Sequence, residues 1–127
     1  MGADYDVRVL EGDILGFELR GPMTLDGLRS AGAAIARTCL ERGLPRALAD
    51  ARKQTGDLSI LEWHGLAAGF EGSWPPDVRL AVLDHAARVK PDRIMETTAR
   101  NRGIDVRVFT AEDEAQAWLR AWTPEKT

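Results

Sequence analysis

The sequence predicts a single α/β domain, residues 1–127, in which helices pack on one mixed β-sheet. Three patterns indicate this fold class. The chain opens with two segments of alternating apolar and polar residues joined at Gly12-Asp13, a pattern typical of a β-hairpin. Strand-like and helix-like segments then alternate, which favours parallel strands. Near the end, residues 104–109 have a strand pattern and lead directly into an amphipathic helix.

The predicted order of elements is β-β-α-β-α-β-α-β-α. The N-terminal hairpin pairs residues 5–10 with residues 14–20. Thr24 is expected to cap the first helix, because its hydroxyl can accept a hydrogen bond from a free N–H of the first turn. That helix is predicted to end near Gly43 and Pro45, because glycine favours a helix terminus and proline stops a helix.

The middle of the chain is predicted to contain a short strand, a loop and a second helix. Residues 47–50 form the apolar strand, and residues 53–56 form the loop before a helix at about residues 58–72. Pro75 and Pro76 close this helix, because consecutive prolines cannot continue it. The sequence leaves open whether either proline follows a cis peptide bond.

The C-terminal part adds two strands and two helices. Residues 78–83 are nearly continuous in apolar residues, as in a buried parallel strand. Pro91 is expected in the first turn of the third helix and Gly103 at its end. Thr110 is expected to cap the fourth helix, with Asp113 as its capping-box partner. The apolar face of that helix consists of Ala115, Trp118, Leu119 and Trp122.

Composition excludes several classes of protein. A net charge of -3 argues against a nucleic-acid binder, and the absence of a long apolar run argues against integral membrane association. The single cysteine, Cys39, excludes an intrachain disulfide, and the N-terminus has no secretory pattern, so the expected location is cytoplasmic. His64 and His85 are the two histidines, and no metal-ligand spacing exists, so we expect no metal and no cofactor.

Three segments resemble the SpoIIAA-like group of STAS domains. They are the terminal strand and helix at residues 106–119, the run Arg-Asn-Arg-Gly-Ile-Asp-Val-Arg at residues 100–107, and the strand end at residues 48–52. The resemblance extends over essentially the whole chain. It implies a small mixed α/β domain related in fold to anti-sigma-factor antagonists and to CRAL-TRIO lipid-transfer domains. It also implies a binding or regulatory module and no catalytic residues.

The resemblance further implies a switch residue at the start of the second helix. In the antagonists, a serine or threonine in an Asp-Ser-x-Gly context is phosphorylated by a partner kinase. Here Ser59 follows Asp57 with one residue between them, and no glycine follows as far as Trp63, so the motif is broken. A phosphate on Ser59 would still interact favourably with the free N–H groups of the helix start. The alternative is that Ser59 is a plain helix cap.

Candidate ligand-binding residues lie at the carboxyl ends of two of the central strands. Ligands of open parallel sheets collect beyond these ends, which here are predicted to carry Asp50, Arg52 and His85. Arg52 can hold an anion that Asp50 orients, and His85 is titratable near neutral pH. The alternative is structural: Asp50 binds nearby backbone N–H groups and pairs with Arg52. His64 is expected at an exposed or rim position of the second helix.

The second helix has more apolar surface than a single contact with a sheet needs. Trp63 and Phe70 share one apolar arc with Ile60 and Leu66, and Trp74 follows the helix. These side chains either fill the core or line an apolar pocket or dimer face.

Three functions are consistent with these patterns. The first is a non-enzymatic regulatory domain that binds a protein partner or a second copy of itself. The second is a carrier of an apolar or lipid-like small molecule, with the second helix as a movable lid. The third and least favoured is an enzyme that uses Asp50, Arg52 and His85.

Overall fold

The polypeptide folds into five strands and four helices within residues 4–70 and 72–122, the part that the computed structural model describes. Their order is the one predicted. The strands are β1 (Asp4–Leu10), β2 (Ile14–Pro22), β3 (Arg46–Thr55), β4 (Arg79–Leu83) and β5 (Val106–Phe109). The helices are α1 (Leu25–Arg42), α2 (Ile60–Gly69), α3 (Ala86–Asn101) and α4 (Glu112–Arg120).

The strands form one mixed sheet in the spatial order β1-β2-β3-β4-β5. β1 and β2 are antiparallel, whereas every later neighbouring pair is parallel. One helix connects each parallel pair, because the chain must return to the other end of the sheet before the next strand. The predicted fold class, a hairpin joined to a parallel sheet, is confirmed.

Helices cover both faces of the sheet. On one face, α1, α2 and α3 enclose the larger hydrophobic core, to which the sheet contributes Phe17 and Ala49. On the other face, Leu119 of α4 packs with Leu48 and Leu83 in a smaller core. Neighbouring residues of β3 therefore enter different cores, because successive side chains of a strand point to opposite faces.

β3 extends five residues beyond the predicted end at Asp50. Its last residues pair with β2, which itself continues to Pro22. The predicted loop at residues 53–56 is therefore wrong except at Gly56, whose φ of 77° marks the turn that follows. The sequence did not indicate this extension because residues 53–55 are polar. A strand end that is paired along one edge and half exposed needs few apolar residues.

The start of α3 was also predicted wrongly. The helix begins at Ala86 with His85 as its N-cap, so Pro91 lies in the second turn instead of the first. The chain turns directly after β4, where the Asp84 carboxylate accepts the N–H of His85 at 2.8 Å. This turn starts the helix before the proline, which shows tertiary structure overriding a local signal.

The cap of α4 differs from the prediction as well. Ala111 occupies the N-cap position without a side-chain hydrogen bond, so Thr110 does not cap the helix. The first turn instead contains Glu112, Asp113 and Glu114, whose charges interact favourably with the positive end of the helix dipole.

Other predicted boundaries are confirmed. The Thr24 hydroxyl accepts the N–H of Gly27 at 3.0 Å, and Gly43 ends α1 in the left-handed conformation with φ 64°. α2 lies within the predicted range but is shorter, because Phe70 already forms its C-cap. The peptide bonds before Pro75 and Pro76 are trans.

Candidate functional site

Ser59 forms a complete capping box at the N-terminus of α2. Its hydroxyl accepts the N–H of Glu62 at 3.1 Å, and the Glu62 carboxylate accepts the N–H of Ser59 at 2.9 Å. Both residues of the box satisfy N–H groups that a helix start otherwise leaves unpaired. Ser59 is therefore a helix cap, and it is at the same time an exposed residue.

Asp57 fixes the turn that precedes this cap. One of its carboxylate oxygens accepts the N–H of Leu58 at 2.8 Å and the indole N–H of Trp63 at 3.2 Å. The second bond connects the turn to a buried tryptophan of α2. The sequence shows Asp57 six residues before Trp63, but nothing in that spacing indicated a contact between their side chains.

Two large apolar side chains are exposed next to Ser59. Ile60 is 62% exposed and Leu61 is 80% exposed. Ile60 belongs to the predicted apolar arc with Trp63 and Leu66, but its exposure shows that it does not enter the core with them. Trp63 and Leu66 are buried as expected.

A mainly apolar cavity of about 90 Å³ lies in the larger core. Trp63, Phe70 and Trp74, the three aromatic candidates from the sequence, all line it. Ala49 of the sheet forms part of its wall, and Asp84 supplies a buried carboxyl group. The cavity is larger than a single water needs, and most of its lining residues are apolar.

Phe70 is held between α1 and α2 at the wall of this cavity. Its ring makes an edge contact with Trp74, with ring centroids 5.8 Å apart. On the other side it lies over Gly32, where an added Cβ would be 2.4 Å from the tip of the ring. Gly32 therefore provides the space that the ring occupies. No spacing in the sequence indicated this contact, because Gly32 and Phe70 lie on different helices.

Asp50 and Arg52 form an ion pair beside α4, on the face of the sheet opposite the cavity. The guanidinium donates to both carboxylate oxygens of Asp50, at 2.8 and 3.0 Å, and to Glu112 at 3.2 Å. Burial favours a higher pKa for Asp50, but the hydrogen bonds and charge of Arg52 lower it below its ordinary 3.8. The geometry agrees with the structural interpretation of this pair. Both residues lie within β3, which continues to Thr55, so they do not mark the carboxyl end of the strand as predicted.

His85 lies at the start of α3, two residues after Leu83, the residue of β4 that pairs with Asp50. Its Nε2 is 3.9 Å from the buried carboxylate of Asp84. His64 is exposed as predicted, and its Nδ1 is 2.8 Å from the hydroxyl of Thr98 on α3. Arg52 contacts Glu112 at the start of α4, whereas His85 lies beside Asp84.

Metal-binding groups and membrane-spanning helices are both absent from the part of the chain that the structure describes. Within residues 4–70 and 72–122, His, Cys, Asp and Glu side chains form no group of three that could hold a metal ion. Among the helices described, none combines the length and the apolar character that a bilayer span requires.

The sheet order and the placement of the helices define a STAS-type fold of the SpoIIAA-like kind. The structure is similar to the crystal structure of an anti-sigma factor antagonist from Mycobacterium paratuberculosis, with a TM-score of 0.63. The two share 13% identical residues, and the superposition covers 93% of this chain and 94% of that chain. At this level of identity the likeness shows a shared fold.

A stretch of the sequence is also similar to a curated enzyme. In an alignment of 93 residues that covers 67% of this chain, it is 36% identical to the UDP-N-acetylmuramoylalanine--D-glutamate ligase of Paraburkholderia phymatum. The chain spans 18% of the length of that ligase. No family model matches the sequence.

Proposed function

We propose that this chain is a regulatory domain that binds a protein partner and catalyses no reaction. Its partner surface is the α2 tip, defined as Ser59, Ile60 and Leu61. The observation that carries the proposal is the exposure of Ile60 and Leu61, which directly follow the helix-capping Ser59. Neighbouring large apolar side chains that stay exposed can form the centre of a site that another protein covers.

Ser59 gives this surface a means of control. A phosphate on its hydroxyl would add close to two negative charges at pH 7. The Glu62 carboxylate lies beside the same N-terminus, so like charges would repel and the capping box would open. The apolar tip would then have a hydrated, charged neighbour. We therefore expect phosphorylation of Ser59 to weaken binding of an apolar partner surface.

The shared fold supports this class of function. The similar solved structure is that of an anti-sigma factor antagonist, a name that describes a protein acting on another protein. The aligned stretch of the ligase is too small a part of that enzyme to suggest ligation here. A protein target of the anti-sigma-factor kind is accordingly the first to test.

Affinity capture with matched variants tests the proposed surface. The tagged chain is used to capture partners from cells of its own source, and captured proteins are quantified by mass spectrometry. Leu61→Ser should remove the partner, whereas Leu40→Ser should retain it, because Leu40 is 65% exposed but lies on α1. Ser59→Asp should reduce capture. A partner held equally by all variants would show that the α2 tip is not its binding surface.

A second candidate function, carriage of a small apolar molecule, is favoured by the cavity of about 90 Å³. Native mass spectrometry of the chain purified from its source would detect a retained molecule. Ala67 is 2% exposed and lines the cavity, so Ala67→Phe should fill it and expel the molecule. Ala68→Phe is the control, because Ala68 is exposed on the same helix. Equal retention by both variants would exclude this cavity as the site.

A further inference from the structure

β1 forms an exposed edge of the sheet. It pairs with β2 on one side, and within residues 4–70 and 72–122 no strand pairs with its other side. Val7 and Val9 of this strand are 37% and 55% exposed. An edge strand presents a row of N–H and C=O groups that a strand of another molecule can pair with.

The charges on β1 are arranged so that this edge complements itself. Asp6 and Arg8 are both exposed, flank Val7, and lie on the same face of the strand because they are two residues apart. If two copies of β1 run antiparallel with Val7 at the centre, Asp6 of each copy lies opposite Arg8 of the other. On the other face Tyr5 lies opposite Val9. Two like charges at these positions would instead repel in this register.

We propose that the chain forms a symmetric homodimer in which β1 pairs antiparallel with β1 of a second copy, centred on Val7. The pairing joins two five-stranded sheets into one of ten strands. Because the same surface is used by both copies, the assembly closes at two and does not grow into a filament. The proposal does not use the α2 tip and is independent of the function proposed above.

Charge reversal at this edge gives a specific test. In Arg8→Asp the two symmetric ion pairs become two carboxylate pairs, and in Asp6→Arg they become two guanidinium pairs. Each variant alone should dimerise roughly tenfold more weakly than the parent chain.

An equimolar mixture of the two charge variants should recover the dimer. At these two positions the Arg8→Asp chain has only carboxylates and the Asp6→Arg chain has only guanidinium groups. A mixed dimer therefore again places opposite charges in both cross-strand pairs. Sedimentation velocity over a concentration series measures each variant and the mixture.

The Asp6→Arg variant also loses an ion pair inside the chain, since Asp6 accepts a hydrogen bond from Arg20 at 2.5 Å. Circular dichroism and thermal unfolding show whether each variant folds. Should Asp6→Arg fail to fold, Arg8→Asp and a disulfide test still decide the question.

Disulfide formation tests the register directly. Val7→Cys places two thiols opposite each other, about 5 Å apart between Cα atoms, which a disulfide can bridge. Val9→Cys is the control, because its two copies would lie about 14 Å apart along the strand. Cys39 will not interfere, since it is 1% exposed. Mild oxidation should convert Val7→Cys to a covalent dimer and leave Val9→Cys unlinked.

A parent chain that remains monomeric up to millimolar concentration overturns the proposal. So does a dimer that both charge variants leave unchanged, or one that Val9→Cys links as readily as Val7→Cys.

Discussion

At the scale of single residues, burial determines the chemistry of Cys39. Its side chain is 1% exposed and lies in the larger core beneath α1. Removal from water disfavours the thiolate and raises the pKa of Cys39 from 9.0 to about 11. Since the thiolate is the reactive form, Cys39 is a poor nucleophile in the native protein and serves as a small core residue.

This pKa predicts a loss of stability in alkali. In the unfolded chain the thiol ionises near pH 9.0, whereas in the folded chain it remains protonated up to about pH 11. The contribution of the protonated Cys39 thiol to the free energy of unfolding is therefore fully present below pH 9.0. It is lost as the pH rises through 11, by on the order of 1 kcal/mol per pH unit. Urea unfolding from about pH 8 to about pH 11 should show this decline in the parent chain.

Cys39→Ala provides the control for the same series. It should be less stable than the parent chain below about pH 9 because it leaves a cavity, but the part of the decline due to the thiol should be absent. If the free energy of unfolding fell equally with pH in the two proteins, the raised pKa of Cys39 would be contradicted.

At the scale of elements, the N-terminus of α2 is stabilised by side chains and its C-terminus by packing. The Ser59–Glu62 box and the Asp57 carboxylate satisfy N–H groups at the start of the helix. At its end, Phe70 inserts above Gly32 of α1. Both ends can be tested with single substitutions.

Two replacements of Ser59 distinguish loss of the capping hydrogen bond from the effect of an added negative charge. Ser59→Ala removes the acceptor of the Glu62 N–H and should lower the free energy of unfolding by about 1 kcal/mol. Ser59→Asp keeps an acceptor at the N-cap and should stay within about 0.5 kcal/mol of the parent chain. Urea unfolding measures both. Ser30→Ala on the exposed face of α1 is the control, and a loss there as large as at Ser59 would contradict the capping role.

The contact between Gly32 and Phe70 predicts a strongly non-additive pair of substitutions. Gly32→Ala alone should destabilise by about 1 kcal/mol, because displacement of the ring outweighs the gain in helix propensity. In a Phe70→Ala background the overlap is gone, so the same change should stabilise by up to about 1 kcal/mol. A thermal-unfolding double-mutant cycle measures the difference. Additive effects would show that Phe70 does not occupy the space above Gly32.

At the scale of the whole molecule, sequence patterns predicted what depends on local periodicity. The element order, the hairpin and the Thr24 cap are all properties of neighbouring residues, and the structure confirms them. The true end of β3 and the start of α3 depend on pairing with β2 and on the turn after β4, which no local pattern encodes. Ile60 has an apolar side chain at a helical spacing, but whether the core reaches it depends on where α2 lies.

In the candidate site, too, the sequence predicted groups of nearby residues but not contacts between distant ones. Trp63, Phe70 and Trp74 were identified as a group, and the structure places all three around one cavity. Asp50 and Arg52 were identified as a pair, but Glu112, their third partner, lies sixty residues from Arg52 in the sequence. A contact at that separation exists only in the folded sheet.

The stability of the whole molecule also depends on the contacts that hold α4 against its face of the sheet. α4 has nine residues, too few to be stable alone in water. Arg46 of β3 donates to the carbonyl groups of Leu119 and Trp122 at the end of the helix. Arg79 of β4 lies over the Trp118 ring at 3.9 Å. Two arginines at the same end of neighbouring parallel strands thus hold the C-terminus of α4.

Arg79→Met should therefore destabilise the entire fold and not α4 alone. The change removes the ion pair with Asp105 at 2.9 Å and the cation–π contact with Trp118, while it keeps a side chain of similar length. We expect a loss of about 2 kcal/mol in the free energy of unfolding, with tryptophan fluorescence and far-ultraviolet circular dichroism changing together.

The matched control for Arg79→Met is Arg107→Met. Arg107 is exposed and lies 5.5 Å from the Phe109 ring, so its replacement should cost less than about 0.5 kcal/mol. Urea unfolding followed by both probes compares the two variants. If fluorescence changes well before the circular dichroism signal, α4 detaches from a sheet that is stable without it. If the probes coincide, the smaller core is part of the same cooperative unit as the larger one, because removal of α4 exposes Leu48 and Leu83 in the middle of the sheet.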